Sequence, residues 1–202
     1  RKKLRWGYIN PKGKVVIECR YDSASFFFGG YAAVSLSGRD FVIDTQGRIL
    51  IKVDPRTRIH RFREGLASFS RESDGGERDG VGFLDISGKV VIGPTREWNF
   101  VGEFSDGLAA VHLPDGTYRY IDRKGRVVIA TQFREAKLFS EGLAAAGMQR
   151  EKLGYIDRTG KFVIKPRFSL ANEFEGGLAA VQINGKWGYV DRRGTFVWEP
   201  TK

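Results

Sequence analysis

Two independent series of glycines run the length of this chain. Gly13, Gly47, Gly88, Gly125, Gly160 and Gly194 form one, and Gly30, Gly65, Gly107, Gly142 and Gly177 the other. Both advance in steps of about 35 residues. Both lengthen together where the third copy carries extra residues around 71–80, and the first series lengthens slightly again near 114–118. Markers that drift together define one structural unit, repeated here about five and a half times. A unit this small cannot bury its own apolar face, so neighbouring copies must cover one another. The copies begin near residues 6, 40, 81, 118, 153 and 187 and leave no linker, so residues 1–202 are expected to form a single β domain.

Each copy opens with a strand, a polar turn and a second strand. The clearest runs from Lys186 through Trp187-Gly188-Tyr189-Val190-Asp191 to Gly194, and the first reads Trp6-Gly7-Tyr8-Ile9-Asn10-Pro11-Lys12-Gly13. An Asn or Asp opens each turn (Asn10, Asp44, Asp85, Asp122, Asp157, Asp191), with Gly three residues on. A short polar side chain there accepts hydrogen bonds from the amides ahead of it. Gly then supplies the left-handed conformation that rejoins the hairpin.

A pattern of period three follows, as in Trp98, Val101, Phe104, Gly107 or Phe168, Ala171, Phe174, Gly177. Neither the strand period of two nor the helical 3.6 fits it. It predicts a short irregular strand or a single helical turn, with a sharp bend at the glycine. A third strand comes next (Leu108-Ala-Ala-Val111, Leu143-Ala-Ala-Ala146, Leu178-Ala-Ala-Val181). The long charged return from Ser70 to Gly80 is expected to be a mobile loop.

No segment sustains a helical period, so the chain is predicted to be all-β. Val15-Val16-Ile17, Val127-Val128-Ile129, Phe162-Val163-Ile164 and the Leu-Ala-Ala-Val runs are apolar at successive positions. Sheets with one wet face alternate instead, so these are expected to be covered on both sides. Tandem β-meanders of this kind suit a propeller-like ring, with an open curved β-solenoid array as the alternative.

Three sub-motifs occur in order: Trp187-Gly188-Tyr189-Val190-Asp191, Gly160-Lys161-Phe162-Val163-Ile164-Lys165-Pro166 and Phe139-Ser140-Glu141-Gly142-Leu143-Ala144-Ala145. Together they resemble the bacterial WG (KWG) repeat over essentially the whole chain. The Trp is kept only at Trp6 and Trp187, and the Gly gives way to Phe41 and Arg119 in two copies. The resemblance implies a binding or scaffolding module, often attached to other domains, and carries over no catalytic residue.

The residues themselves agree that chemistry is absent. The Asp ladder is explained by its turns, and Glu64, Asp106 and Glu141, before the bend glycines, are read as a solvated rim. His60 and His112 lack a partner pattern for metal or nucleophilic work, and no zinc spacing or cofactor motif occurs. The one cysteine, Cys19, excludes an intramolecular disulfide and is read as a small buried hydrophobe. The longest apolar run is too short to span a membrane. The sequence opens on Arg1 rather than Met, so a preceding segment that could carry a targeting signal is expected, and localisation, cytoplasmic or exported, stays open. Residues 1–5 read as a basic, solvated leader with Leu4 buried.

The formal net charge of +10 is the one unusual bulk property. If the hairpins share one rim, so do their basic residues: Lys12, Lys14, Arg48, Lys89, Arg123, Lys124, Arg126, Arg158, Lys161, Arg192 and Arg193. The bend acids are then expected toward the opposite rim. A second basic cluster, Arg56, Arg58, His60, Arg61 and Arg63, replaces the aromatic of its copy. The leading expectation is a monomeric, non-catalytic module that holds a protein or glycan partner. Polyanion binding by these basic residues, to nucleic acid or an acidic glycan, is the alternative, and a propeller-type glycoside hydrolase the remote one.

Overall fold

A computed structural model describes residues 4–200 as strands and turns, with no helix among them. The first three residues of the basic leader lie outside the described range. Leu4 is 90% exposed rather than buried, and Arg5 pairs with Asp22 at 2.7 Å. The chain forms two compact units, divided between Arg96 and Glu97.

The first unit holds a two-stranded sheet, β1 (Trp6–Ile9) and β2 (Val15–Tyr21), and two four-stranded sheets. These are β3 (Ser23–Ala24), β4 (Tyr31–Leu36), β5 (Arg39–Asp44), β6 (Ile49–Lys52), and β7 (Thr57–Arg63), β8 (Leu66–Glu72), β9 (Arg78–Asp85), β10 (Val90–Thr95). The second unit holds three four-stranded sheets. They are β11 (Phe100–Val101), β12 (Leu108–His112), β13 (Tyr118–Asp122), β14 (Val127–Phe133); β15 (Glu135–Ser140), β16 (Leu143–Gln149), β17 (Lys152–Ile156), β18 (Phe162–Phe168); and β19 (Leu170–Ala171), β20 (Leu178–Ile183), β21 (Lys186–Asp191), β22 (Phe196–Trp198). Every described sheet is antiparallel with its strands in chain order, and apart from the two-stranded β1–β2 each is a propeller-like blade of four strands.

The period-three segment is thus a fourth strand, and a bulge sets its period. Ile59 pairs with Phe69 but Phe62 with Ala67, and Ala136 pairs with Ala146 but Phe139 with Ala144. One extra residue on the bulged strand returns the next side chain to the core after three positions instead of two. The predicted loop from Ser70 to Gly80 is a continuous hairpin. β8 and β9 pair as far as Glu72 and Arg78, and a tight turn closes from Ser73 to Glu77.

Within each unit the cores lie between consecutive repeats. Along β16, Leu143 and Ala145 belong to the cluster shared with the following repeat, which includes Phe174 and Val181. Ala144 and Ala146 belong to the cluster shared with the preceding one, which includes Tyr120 and Phe133. The alanines are small enough for sheets to approach closely on both faces. Two-sided burial, expected from the Leu-Ala-Ala-Val runs, holds for β8, β12 and β16.

It fails on the outer strands. Val15, Val16, Val127, Val128 and Val163 are all exposed, and of these runs Ile17, Ile129 and Ile164 are buried, with Phe162 partly buried against the core. The reason is again a bulge. Ile9 pairs with Val15 but Tyr8 with Ile17, and the same slip recurs at Ile121/Val127 and Ile156/Phe162. A second slip follows, so the next buried residues are Tyr21, Phe133 and Phe168, four positions on. Cys19 falls between Ile17 and Tyr21 on this edge and is exposed, contrary to its expected burial.

The doubly bulged outer strand folds closely over the strand beside it. A Cβ at Gly7, Gly82, Gly154 or Gly188 would come closer than 3.0 Å to the backbone of the outer strand. None of these glycines needs a positive φ, so close approach alone explains them. Where Phe41 replaces the glycine, the second slip is missing and Phe41 pairs in register with Lys52. Arg119 keeps the slip, and its buried Nε has no hydrogen-bond partner.

Gly154→Ala should therefore cost about 2 kcal/mol through overpacking. That corresponds to a fall in Tm of roughly 4–8 °C for a chain of this size, read by thermal denaturation.

Candidate functional site

Three devices hold successive repeats together, and in the first two the spacing along the chain is constant. The first is the motif tyrosine. Tyr8, Tyr120 and Tyr155 pack tilted or edge-on against Phe27, Phe139 and Phe174 of the next repeat, with ring centroids 4.5, 4.9 and 4.7 Å apart. Each phenol also donates a hydrogen bond to a backbone carbonyl, of Ser25 at 3.0 Å, Lys137 at 2.7 Å and Asn172 at 2.7 Å. Burial pushes the Tyr8 phenol up to about 12, with the Tyr21 hydroxyl adding to the effect, and raises Tyr120 and Tyr155 as well.

The second device is the bend. Ser105 donates to the carbonyl of Phe139 at 2.5 Å and Ser140 to that of Phe174 at 2.7 Å. Asp106 accepts from the Gly142 amide at 2.7 Å, and Glu141 accepts from the Gly177 amide at 3.0 Å. These acids adopt positive φ, 50° and 53°, to aim their carboxylates at the next repeat. Asp106 and Glu141 are therefore staples between repeats, not the solvated rim predicted for them.

The third device is the hairpin. Each Asx oxygen accepts two amides, as Asp122 does from Lys124 and Arg126 at 2.9 Å each and Asp157 from Thr159 at 2.9 Å and Lys161 at 3.1 Å. Its glycine rests on the preceding repeat's outer strand, Gly47 against Ile17 and Gly160 against Ile129.

The pairings Leu66–Asp85, Leu108–Asp122 and Leu178–Asp191 put hairpins and bends at the same end of each sheet. The expectation that the bend acids lie toward the opposite rim is overturned. A hairpin between the third and fourth strands must share an end with the bend between the first and second. Several predicted basic residues are engaged there. Arg126 pairs with Asp122 at 2.6 Å and Arg48 with Asp44 at 2.6 Å. Arg192 donates to the Glu141 carbonyl at 2.6 Å, Arg158 lies against Gly107, and Arg123 sits 5.8 Å from the Phe104 ring centroid. Lys124, Lys161 and Arg193 are exposed at this end.

The second basic cluster is spread along β7. Arg56 is bonded to Asp54 and Asp74, and Arg58 lies 3.7 Å from Asp40, at the end away from the hairpins. Arg58, His60 and Arg61 are exposed, and Arg63 lies over the Phe28 ring at 5.8 Å. His112 packs against Tyr118 with the rings tilted and their centroids 4.7 Å apart. Among the described residues no group of three or more His, Cys, Asp or Glu could hold a metal ion, and no helix is long and apolar enough to cross a membrane.

One surface was not foreseen. In β20–β22 the face that the other repeats bury against a following blade is open. Tyr189 is 44% exposed where Tyr120 and Tyr155 are 0%, and Trp198 is 47% exposed where Ile129 and Ile164 are 2% and 4%. Leu178 is open as well. Tyr189 and Trp198 lie side by side, their centroids 6.0 Å apart at 47°. Beside Tyr189 and Leu178 is a cavity of about 600 Å³, whose polar wall is Lys137, Asn172, Glu173 and Glu175. The sequence held one signal of it: the last copy has Glu175-Gly176 and Trp198 where the copy before has Ser140-Glu141 and Ile164.

Comparison with known proteins agrees with this architecture. The model of the WG containing repeat matches residues 6–39, 82–113, 118–148 and 154–187. The chain belongs to this family. Among curated proteins no sequence match is found. Three solved structures share the fold. BamB from Moraxella catarrhalis is 17% identical, with a TM-score of 0.52 over 94% of this chain and 65% of that one. KlHsv2 with loop 6CD replaced by a Gly-Ser linker is 11% identical, with a TM-score of 0.59 over 88% and 66%. A eukaryotic initiation factor is 12% identical, with a TM-score of 0.59 over 94% and 59%. The match thus spans about three fifths to two thirds of each of those chains.

The hairpin carboxylates carry a pH dependence. Hydrogen bonds from the Arg126 side chain and amide hold Asp122 below the usual carboxylate range, and the Thr159 hydroxyl and amide do so for Asp157. The Ser87 hydroxyl acts likewise on Asp85, while at Asp44 the Arg48 and Gln46 donors outweigh the upward push of burial. A folded-state pKa below the unfolded one contributes stability that is complete above the unfolded pKa, near 4, and is lost as pH falls through the folded value. Tm should accordingly fall as pH drops from about 5 to below 3. Asp157→Asn, which keeps a neutral acceptor as Asn10 does, should flatten that slope and lower Tm at pH 7 slightly, because the charge's share of the stability is then missing at every pH.

Proposed function

We propose that this chain is a non-catalytic binding module and that the open face of its last repeat holds a saccharide unit of a glycan. The observation that carries the reading is the exposed Tyr189–Trp198 pair beside the cavity of about 600 Å³. Ligand sites are concave, fall mostly between 300 and 1,000 Å³, and combine apolar surface with a few placed polar groups. Flat aromatic rings suit the C–H faces of a pyranose. Asn172, Glu173, Glu175 and Lys137 offer both donors and acceptors to its hydroxyls. The partner-binding character of WG repeats agrees with such a role. A protein partner is the other occupant the same face would accept, since exposed Trp and Tyr anchor protein interfaces too.

Trp198 and Trp187 provide the readout. Titration with defined oligosaccharides should change their fluorescence saturably, and Tyr189→Ser and Trp198→Ser should each weaken binding at least about tenfold, with Tm little changed. Unaltered binding by both variants would move the site elsewhere. Release of new reducing ends would overturn the non-catalytic reading and turn attention to Glu173 and Glu175.

A second reading, polyanion binding, is favoured by the first unit. There the exposed Arg58, His60 and Arg61 of β7 lie in the same unit as Phe26, which is 80% exposed. Cationic side chains with exposed aromatics suit a single-stranded nucleic acid or an acidic glycan. The hairpin residues Arg123, Lys124, Arg126, Arg158, Lys161, Arg192 and Arg193 would add long-range attraction. Affinity for single-stranded DNA or heparin should then fall with salt on a log–log slope of several charges. Arg58→Glu with Arg61→Glu should reduce that slope by about two.

A further inference from the structure

The staples between repeats are complete in the second unit and absent at one junction of the first. In the second unit each junction has a bend serine, a carboxylate on the next bend amide, and a hairpin arginine against the preceding bend glycine. Between the repeat of β3–β6 and that of β7–β10 the same positions hold Phe28, Gly29 and Ile86. Gly29 has φ of 56°, close to the 50° and 53° of Asp106 and Glu141, so the backbone is set as if a carboxylate stood there. Nothing lies within 4 Å of where its Cβ would be. The amide corresponding to those of Gly142 and Gly177 is that of Gly65, and the first repeat has no side chain at position 29 to cap it.

A cavity of about 530 Å³ opens at this place. Gly29, Tyr31, Leu50 and Ile86 line it, with the Asp44–Arg48 pair at its side. Its apolar wall and open bend define the complement: a carboxylate on a short aliphatic body. We propose that this cavity takes an acidic side chain of a peptide, whose carboxylate stands in for the staple missing at Gly29 while its aliphatic stem packs against Leu50 and Ile86. The net charge of +10 favours encounter with an acidic segment. The site is separate from the open face of the last repeat and does not depend on the saccharide reading.

The chain can be made to fill its own vacancy, and that is the test. Two labelled peptides that alternate Leu with Glu or Leu with Gln are compared by fluorescence anisotropy, on wild type, Gly29→Asp and Ile86→Arg. The Glu peptide should bind wild type at least about tenfold more tightly than the Gln peptide. Gly29→Asp should abolish that binding with Tm unchanged or raised, because its carboxylate occupies the place. Ile86→Arg, which restores the hairpin arginine, should weaken binding by the independent route of filling the cavity. Equal affinity for the two peptides, no binding to wild type, or undiminished binding by a folded Gly29→Asp would each overturn the proposal.

Discussion

Within each unit, the described cores belong to pairs of repeats rather than to single ones. Leu143 and Ala145 look one way along β16 and Ala144 and Ala146 the other, so a single strand contributes to two clusters at once. Hydrophobic burial scales with apolar area removed from water, and here that area is removed only when repeats stack. Everything else follows from keeping adjacent sheets in register: phenols on the carbonyls of the next repeat, carboxylates on its bend amides, hairpin glycines on the preceding outer strand. The phenol and carboxylate bonds recur at fixed separations along the chain, 17 and 36 residues, whichever side chains fill the positions between.

Bulges explain the composition of the repeat better than strand propensity does. The inner strand returns a side chain to the core every three residues, and the outer strand every four, because extra residues are inserted into the ladder. The signature glycine is the other side of this arrangement: the outer strand bends over it and leaves no room for a Cβ. Phe41 is tolerated because its outer strand stays in register. Arg119 is tolerated with its Nε buried and without a partner.

Repeat length, the all-β class, the hairpin turns and the role of the Asp ladder were legible in the sequence, because each depends on local chemistry at a regular interval. Reading the Val-Val-Ile strands as covered on both sides failed because strand alternation assumes an unbroken ladder, and a bulge is silent in hydropathy. The period of three at Ile59 and Phe62 was visible, but its cause was not. The bend acids were misplaced for a different reason. Which end of a sheet a turn occupies depends on counting strands, and the period of three left one segment of each repeat open between a strand and a helical turn. The candidate surfaces were partly legible: the basic residues could be listed, but not that Arg126 and Arg48 are spent on their own turn aspartates. The aromatic pair Tyr189 and Trp198 reads in sequence as ordinary core.

The staple has a direction. Where the groups are present, the carboxylates of Asp106 and Glu141 cap an amide on the next repeat, and Tyr8, Tyr120 and Tyr155 reach forward to a carbonyl 17 residues on. A stretch such as 135–168 consequently carries the forward half of one junction and the backward half of another. Copied in tandem, it would bring complementary halves to both new seams without any change of residue. Arrays of this kind can lengthen or shorten by whole units through recombination alone, and selection need act only on the few positions where a copy has shed its connecting groups.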